Sequence, residues 1–196
     1  MSEKKVRSYT RSLLKYHGGI RSLQWKNYKS AATRFTQLVG DFPLHNKTIL
    51  DVGCGLGDLI PFISSESLDF TYTGIDLMPP FIEEAKRRYP EHTFEIRDFF
   101  ASPSGEFDVI FCSGVLNGRI DNPFAERTSK IATLFTHTRE VLAFNMAGGR
   151  APQNKATGPV YYSNSLEILE FCLTLTPKVI LKQHYHPKDF TIIMFR

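Results

Sequence analysis

No apolar run in this chain approaches the roughly 20 residues that a membrane-spanning helix needs. The opening Met-Ser-Glu-Lys-Lys-Val-Arg lacks the apolar core of a secretory signal. A membrane partner is not expected, and the cytoplasm is the expected compartment. Cysteine is scarce: Cys54, Cys112 and Cys172 make an odd number, with no Cys-x-x-Cys pair and no histidine at ligand spacing. Neither a disulfide nor a metal centre is expected, and the three thiols read as small apolar residues. Tryptophan occurs once, at Trp25, and there is no internal repeat or low-complexity linker.

The 196 residues are 42% hydrophobic and 22% charged, the composition of a globular domain. Acidic residues are nearly missing from the start. Residues 1–34 hold nine Lys and Arg against Glu3 alone, or +8, so the remaining 162 residues carry −4 of the net +4. Such an arm can meet a polyanion, although a solvated basic helix face has the same composition. The chain divides into an N-terminal helical arm or lid over 1–44 and one globular unit over 45–196.

The centre of information is residues 48–58, Thr-Ile-Leu-Asp-Val-Gly-Cys-Gly-Leu-Gly-Asp. A β-branched and aliphatic run ends in a glycine turn, and a helix can begin at Asp58. Glycines let backbone approach a ligand, and a helix start offers unpaired N–H groups, so the unit is a nucleotide-cofactor cradle. Glycines at 53, 55 and 57 give G-x-G-x-G. The dinucleotide fingerprint needs its third glycine at 58, where this chain has Asp, and no Tyr-x-x-x-Lys is present. A nicotinamide oxidoreductase is therefore disfavoured.

Further strands follow in order. Phe70–Ile75 ends in Asp76, 25 residues after Asp51, a spacing at which an acid accepts bonds from ribose hydroxyls. Thr93–Ile96 runs into Arg97-Asp98-Phe99, where Asp98 can accept from an adenine amino group beside Phe99. Phe107–Cys112 opens into Ser113-Gly114. Helices are predicted over 21–39, from about 57 with Pro61 in the first turn, from Pro79-Pro80 to Arg88, over 126–139, and from the Ser163-Asn164-Ser165 cap to Leu173. A fifth strand is predicted over 140–146. The runs 178–185 and 190–195 read as a closing hairpin, with His184 and His186 alternating on one strand face. Strands alternating with helices predict a doubly wound α/β fold: a mostly parallel sheet, helices on both faces, and an antiparallel edge from the C-terminal hairpin.

With Ile49–Gly57, Gly74-Ile75-Asp76, Arg97-Asp98-Phe99 and Phe107–Ile110 in this order, the chain resembles the class I S-adenosylmethionine-dependent methyltransferases. The resemblance implies a seven-stranded sheet whose last strand inserts antiparallel beside the fifth. It implies S-adenosylmethionine as cofactor and S-adenosylhomocysteine as product. Carried over by position, Gly53, Cys54, Gly55 and Gly57 line the methionine and ribose, and Asp51 faces the methionine ammonium. Asp76 takes the ribose hydroxyls, and Leu77 packs on adenine. Asp98 and Phe99 hold the adenine edge, and Ser113 offers a carbonyl near the ammonium. Arg34 is a candidate partner for the cofactor carboxylate, with a surface ion pair as the alternative.

Methyl transfer needs the nucleophile positioned and water excluded, and needs a base only when the acceptor is protonated. No catalytic residue is therefore fixed by sequence. Candidates are His17, Tyr161 and Tyr162, with Trp25, Asn117, Arg119 and Asn145 in segments that roof such a cleft. The fourth strand does not end in the Asp/Asn-Pro-Pro-aromatic run of amino-group methylases, and no Pro-Cys pair follows it. A small-molecule acceptor is expected first. An RNA or protein acceptor, or a non-catalytic cofactor-binding or scaffold subunit of the same fold, is the alternative. Oligomeric state is not legible.

Overall fold

The computed structural model describes residues 11, 12, 15, 16, 22, 28–150, 152, 154 and 158–196. Seven strands lie in the order β3-β2-β1-β4-β5-β8-β7. They are β1 (Lys47–Val52), β2 (Phe70–Asp76), β3 (Thr93–Ile96), β4 (Phe107–Ser113), β5 (Thr138–Gly149), β7 (Val179–Lys182) and β8 (Asp189–Phe195), and a two-residue β6 (Ser163–Asn164) pairs with the end of β5. The first five of the seven run parallel; β8 is antiparallel to both β5 and β7. This is the expected topology, with β6 as an addition.

Strand residues alternate between two buried layers, so the central strands read as continuous apolar runs. Ile49, Val109, Phe111, Ala143 and Ile193 face one layer. On that side α1 (Tyr28–Leu38) contributes Ala31, Phe35 and Leu38, at i, i+4 and i+7. Beside it lie α2 (Ile60–Glu66) and α3 (Pro79–Arg88). Leu50, Ile110, Leu142, Phe144 and Ile192 face the other layer, covered by α4 (Pro123–Thr136) and α5 (Ser165–Leu175).

Element ends follow local chemistry. Two prolines open α3, where the missing N–H costs nothing, and Lys86, Arg87 and Arg88 sit in its last turn against the negative helix end. Asn164 caps α5, its side chain accepting from Leu166 N at 3.0 Å. Two helices begin elsewhere than the pattern suggests. The second starts at Ile60 rather than near 57, because residues 54–59 are spent in a turn closed by Gly57 N to the Cys54 carbonyl at 3.0 Å. The fourth starts earlier, at Pro123, after Asn122 takes a left-handed conformation with φ 44°.

β5 runs on to Gly149, past the predicted end, because Gly148 and Gly149 pair with Ser163 and Asn164. His184 and His186 lie in the turn joining β7 to β8, so they share no strand face. Of the helix predicted over 21–39, residues 28–38 are described and helical.

Candidate functional site

β1 stands where the strand order reverses, with β2 on one side and β4 on the other. The crevice beyond the carboxyl ends of such strands is where open α/β sheets hold ligands. The glycine turn leaves β1 at that point. Gly53, Gly55 and Gly57 all have positive φ, at 78°, 57° and 77°. A Cβ on Gly53 would lie 2.2 Å from Val115 Cγ2, so the single 3-10 turn after β4 (Val115–Asn117) packs directly on the glycine turn. Cys54 is buried, and its sulfur fills the space beside Gly74, where a Cβ would meet it at 2.9 Å. Burial pushes that thiol well up, with Asp51 and Asp76 adding to the shift.

Asp76 ties the turn to β2. One carboxylate oxygen accepts from Gly55 N at 3.1 Å and the other from Met78 N at 2.9 Å. Each oxygen has two acceptor sites, so these bonds leave capacity for further donors. Leu77 beside it is 39% exposed, an apolar surface at the crevice. Asp51 is buried on the α1 side of β1, where Tyr72 donates its hydroxyl to Oδ2 at 2.8 Å. Burial pushes the Asp51 carboxyl up to about 7, against the pull of the Tyr72 bond and with Asp76 adding to the rise. Among the described residues no basic group offsets its charge, and such a buried acid is a fitting neighbour for a ligand cation.

Asp98 is exposed, and its Oδ1 accepts from Phe100 N and Ala101 N at 3.1 and 3.2 Å, which fixes the turn after β3. The Phe99 ring is buried in the core under α4, edge-on to His137 at 5.3 Å. Ser113 donates to Asn145 Oδ1 at 3.2 Å, and Asn145 is buried with its Nδ2 lacking a partner. Ser113, Asn145 and Thr191 are aligned across β4, β5 and β8, and Tyr185 OH lies 2.9 Å from Thr191 Oγ1. Alternation from Phe111, Ala143 and Ile193 puts this polar row on the α1 side of the sheet.

Arg34 descends from α1 to the same edge. Its guanidinium bonds Asp189, the first residue of β8, and also the Ser30 carbonyl and hydroxyl at 2.5 and 2.6 Å. With side chains 12% and 6% exposed, this is a buried ion pair and not the surface pair considered from sequence. His186 Nδ1 lies 2.5 Å from the same Asp189 oxygen. Burial raises the Asp189 carboxyl, opposed first by Arg34 and then by His186. His17 and Trp25 lie outside the described residues.

Arg127 was not anticipated. It is fully buried in α4, and its guanidinium donates to the carbonyls of Leu116, Gly118 and Pro123 at 2.7–2.8 Å. The Tyr161 ring lies over it at 4.8 Å, with Arg119 at 5.8 Å. The segments are further joined by Tyr161 N to the Asn117 carbonyl, Arg119 N to the Pro159 carbonyl, and Ala147 N to Asn117 Oδ1 at 2.7 Å. Tyr162 is held through its backbone, which exchanges two 2.8 Å bonds with the Asn154 amide. The signal was available: Arg127 shares the apolar spacing of Ile131 and Leu134.

Among the described residues no histidine, cysteine and acid group is arranged to hold a metal, and no helix is long and apolar enough to cross a membrane. A cavity of about 310 Å³ lies at the opposite end of the strands, between Asp41–Pro43, the start of β5 at Arg139–Val141 and the end of β8 at Phe195. It has none of the glycine turn, paired acids or strand switch that define the crevice.

Residues 49–138 match the family model described as a methyltransferase domain. The matched segment, a little under half of the chain, runs from β1 to the start of β5. A Mycobacterium tuberculosis protein assigned by name to the methyltransferases, Rv1506c, is 25% identical over 75% of this chain and 92% of its own. DhpI, solved with S-adenosylhomocysteine, superposes with a TM-score of 0.69 at 17% identity, covering 99% of this chain and 95% of DhpI. The magnesium protoporphyrin IX methyltransferase of Synechocystis PCC 6803, solved with S-adenosylmethionine, gives 0.63 at 18% identity over 96% and 83% of the two chains.

Proposed function

We propose that this chain transfers the methyl group of S-adenosylmethionine to a small-molecule acceptor bound at the carboxyl ends of β4 and β5 and the amino end of β8. The observation that carries the reading is the glycine turn at the strand switch point, tied to β2 through Asp76. The residues fit the cofactor. Asp76 retains acceptor capacity for a vicinal diol, Leu77 offers apolar area for adenine, and Asp51 is a buried acid suited to an ammonium.

When bound, the cofactor supplies a sulfonium-activated methyl group, so the chain's work is positioning and exclusion of water. Asp51, Asp76 and the 53–57 backbone hold the cofactor, Asp98 and the Phe99 backbone lie at the adenine end, and the Ser113 carbonyl lies toward the ammonium. Arg34 roofs the crevice from α1 in company with Asp189. The acceptor side is walled by the 115–119 and 158–162 segments around Tyr161, and lined by Ser113, Asn145 and Thr191. Among the described residues of the 1–44 segment, α1 packs on the 45–196 unit through Ala31, Phe35 and Leu38.

Calorimetric titration with S-adenosylmethionine, S-adenosylhomocysteine and NADH tests the cofactor. Micromolar binding of the two sulfur compounds and none of NADH is the expected result. Tighter binding of NADH would overturn it.

A further inference from the structure

We propose that Tyr72 is a positioning residue for the cofactor: its hydroxyl holds the Asp51 carboxyl where an incoming ammonium displaces the carboxyl proton. Binding then releases a proton to solvent. The proposal rests on the cofactor reading above and extends it to Tyr72 and to that proton.

Three observations carry it. First, both side chains are almost wholly out of water, and the Tyr72 hydroxyl donates to Oδ2 at 2.8 Å. Tyr72 keeps its own proton for this bond, because burial and the neighbouring Asp51 push its hydroxyl well up. Second, the bond is built into the sheet. Parallel pairing sets Ile49 beside Tyr72 and Asp51 beside Gly74, so the hydroxyl ties β2 to β1 just before the turn at Gly53. The Tyr72 ring is itself held, edge-on to Phe94 at 5.8 Å and against His92 at 5.4 Å. Such a ring cannot follow a carboxyl that swings away.

Third, among the described residues no cation offsets Asp51. The titratable groups that sense its charge are Tyr72 and Asp76 from β2, Cys54 from the turn and Cys112 from β4. Burial pushes both thiols up, so they stay neutral. Behind Tyr72, burial lowers His92 against the pull of Glu91, and burial raises the Tyr89 hydroxyl. From α1, Arg34 goes to Asp189. A buried carboxyl in such company favours its neutral form, and Asp51 is raised to about 7, first by burial.

The exchange balances. The Asp51 O–H gives its proton to water, and an ammonium that arrives already protonated donates a hydrogen bond to the carboxylate left behind. Tyr72 favours that charged form by donating to it. Below about pH 7 the free protein holds the proton and must release it, so affinity rises about tenfold per pH unit. Above that value the proton is already gone and affinity levels off.

The test is titration calorimetry of the full chain with S-adenosylhomocysteine, in buffers of low and high ionisation heat, which counts protons released. About one per ligand is expected near pH 6, fading above about pH 8. Asp51→Asn should abolish the release. Tyr72→Phe keeps the ring and removes the donor, so release should persist to higher pH and affinity near pH 7 should fall on the order of tenfold. The control probe is 5′-methylthioadenosine, which keeps the adenosine and thioether and lacks the ammonium. It should bind parent and Tyr72→Phe alike, with no proton released. No release from the parent, or a release that survives Asp51→Asn, overturns the proposal. A Tyr72→Phe release curve that overlays the parent's, or an equal loss for both ligands, overturns the assignment of Tyr72. Failure of S-adenosylhomocysteine to bind the parent at any pH would instead sink the cofactor reading.

Discussion

The Tyr72 hydroxyl donates to Asp51 Oδ2 at 2.8 Å beneath the glycine turn, joining β2 to β1 through two side chains that are almost wholly out of water. Register makes the bond possible. Tyr72 lies beside Ile49, and Asp51 two residues on emerges on the same face. The bond offsets only part of the cost of burying the carboxyl, which remains raised to about 7.

That shift has a signed consequence for stability. Between an unfolded value of 3.8 and a folded value of about 7, the native state binds more protons than the unfolded one. The contribution of Asp51 to stability is therefore complete below pH 3.8 and is lost as the pH rises through about 7. Asp51→Asn keeps an acceptor for Tyr72 and removes the titration. Thermal unfolding near pH 8 should show the variant more stable than the parent by roughly 2–4 kcal/mol, with the gap closing toward acid. Parallel stability curves from acid to pH 8 would refute the burial argument.

Asp76→Ala should weaken S-adenosylhomocysteine binding by roughly 2 kcal/mol or more, through loss of charge-assisted bonds to the ribose and of the anchor on Gly55. Titration calorimetry measures it. An affinity equal to that of the parent would mean that the ribose lies elsewhere.

Arg127→Met removes three charge-assisted bonds to the Leu116, Gly118 and Pro123 carbonyls and the contact with Tyr161. A loss of about 3 kcal/mol in stability is expected from denaturant unfolding. Hydrogen exchange at the amides of Arg119 and Tyr161 should quicken together. Tyr161→Phe retains the ring and should behave as the parent, whereas Tyr161→Leu should not. Equal exchange in the Met and parent proteins would show that Arg127 does not hold the wall.

Gly53→Ala introduces both a left-handed alanine at φ 78° and a Cβ 2.2 Å from Val115 Cγ2. The backbone part costs roughly 1–2 kcal/mol, and the collision adds to it. Adding Val115→Ala should recover the collision and leave the backbone part. A double variant as stable as the parent would assign the whole effect to packing.

The succession of strands and helices along the chain and the identity of the glycine turn were legible because both rest on local rules. Ile49–Val52 is long and apolar enough to be a central strand, and Pro79-Pro80 can only open a helix. The helix after the turn was placed too early, since periodicity registers Leu59 and does not register a turn closed by the Cys54 carbonyl. His186 was read as a strand residue without a nearby acid. Its partner Asp189 is three residues on, and a tight turn brings them together.

The sequence by itself determined the glycine-turn half of the crevice, because one continuous strand, turn and helix carries Asp51, Gly53, Gly55 and Gly57, and the next strand ends at Asp76. The half lined by β4, β5 and β8 belongs to the tertiary structure. Arg34 meets Asp189 across 155 positions, and Ser113 meets Asn145 across 32. Sheet order decides those meetings: β8 inserts between β5 and β7, bringing a distant segment under α1. Pairings of that kind depend on which strands become neighbours, and no local pattern of residues encodes it.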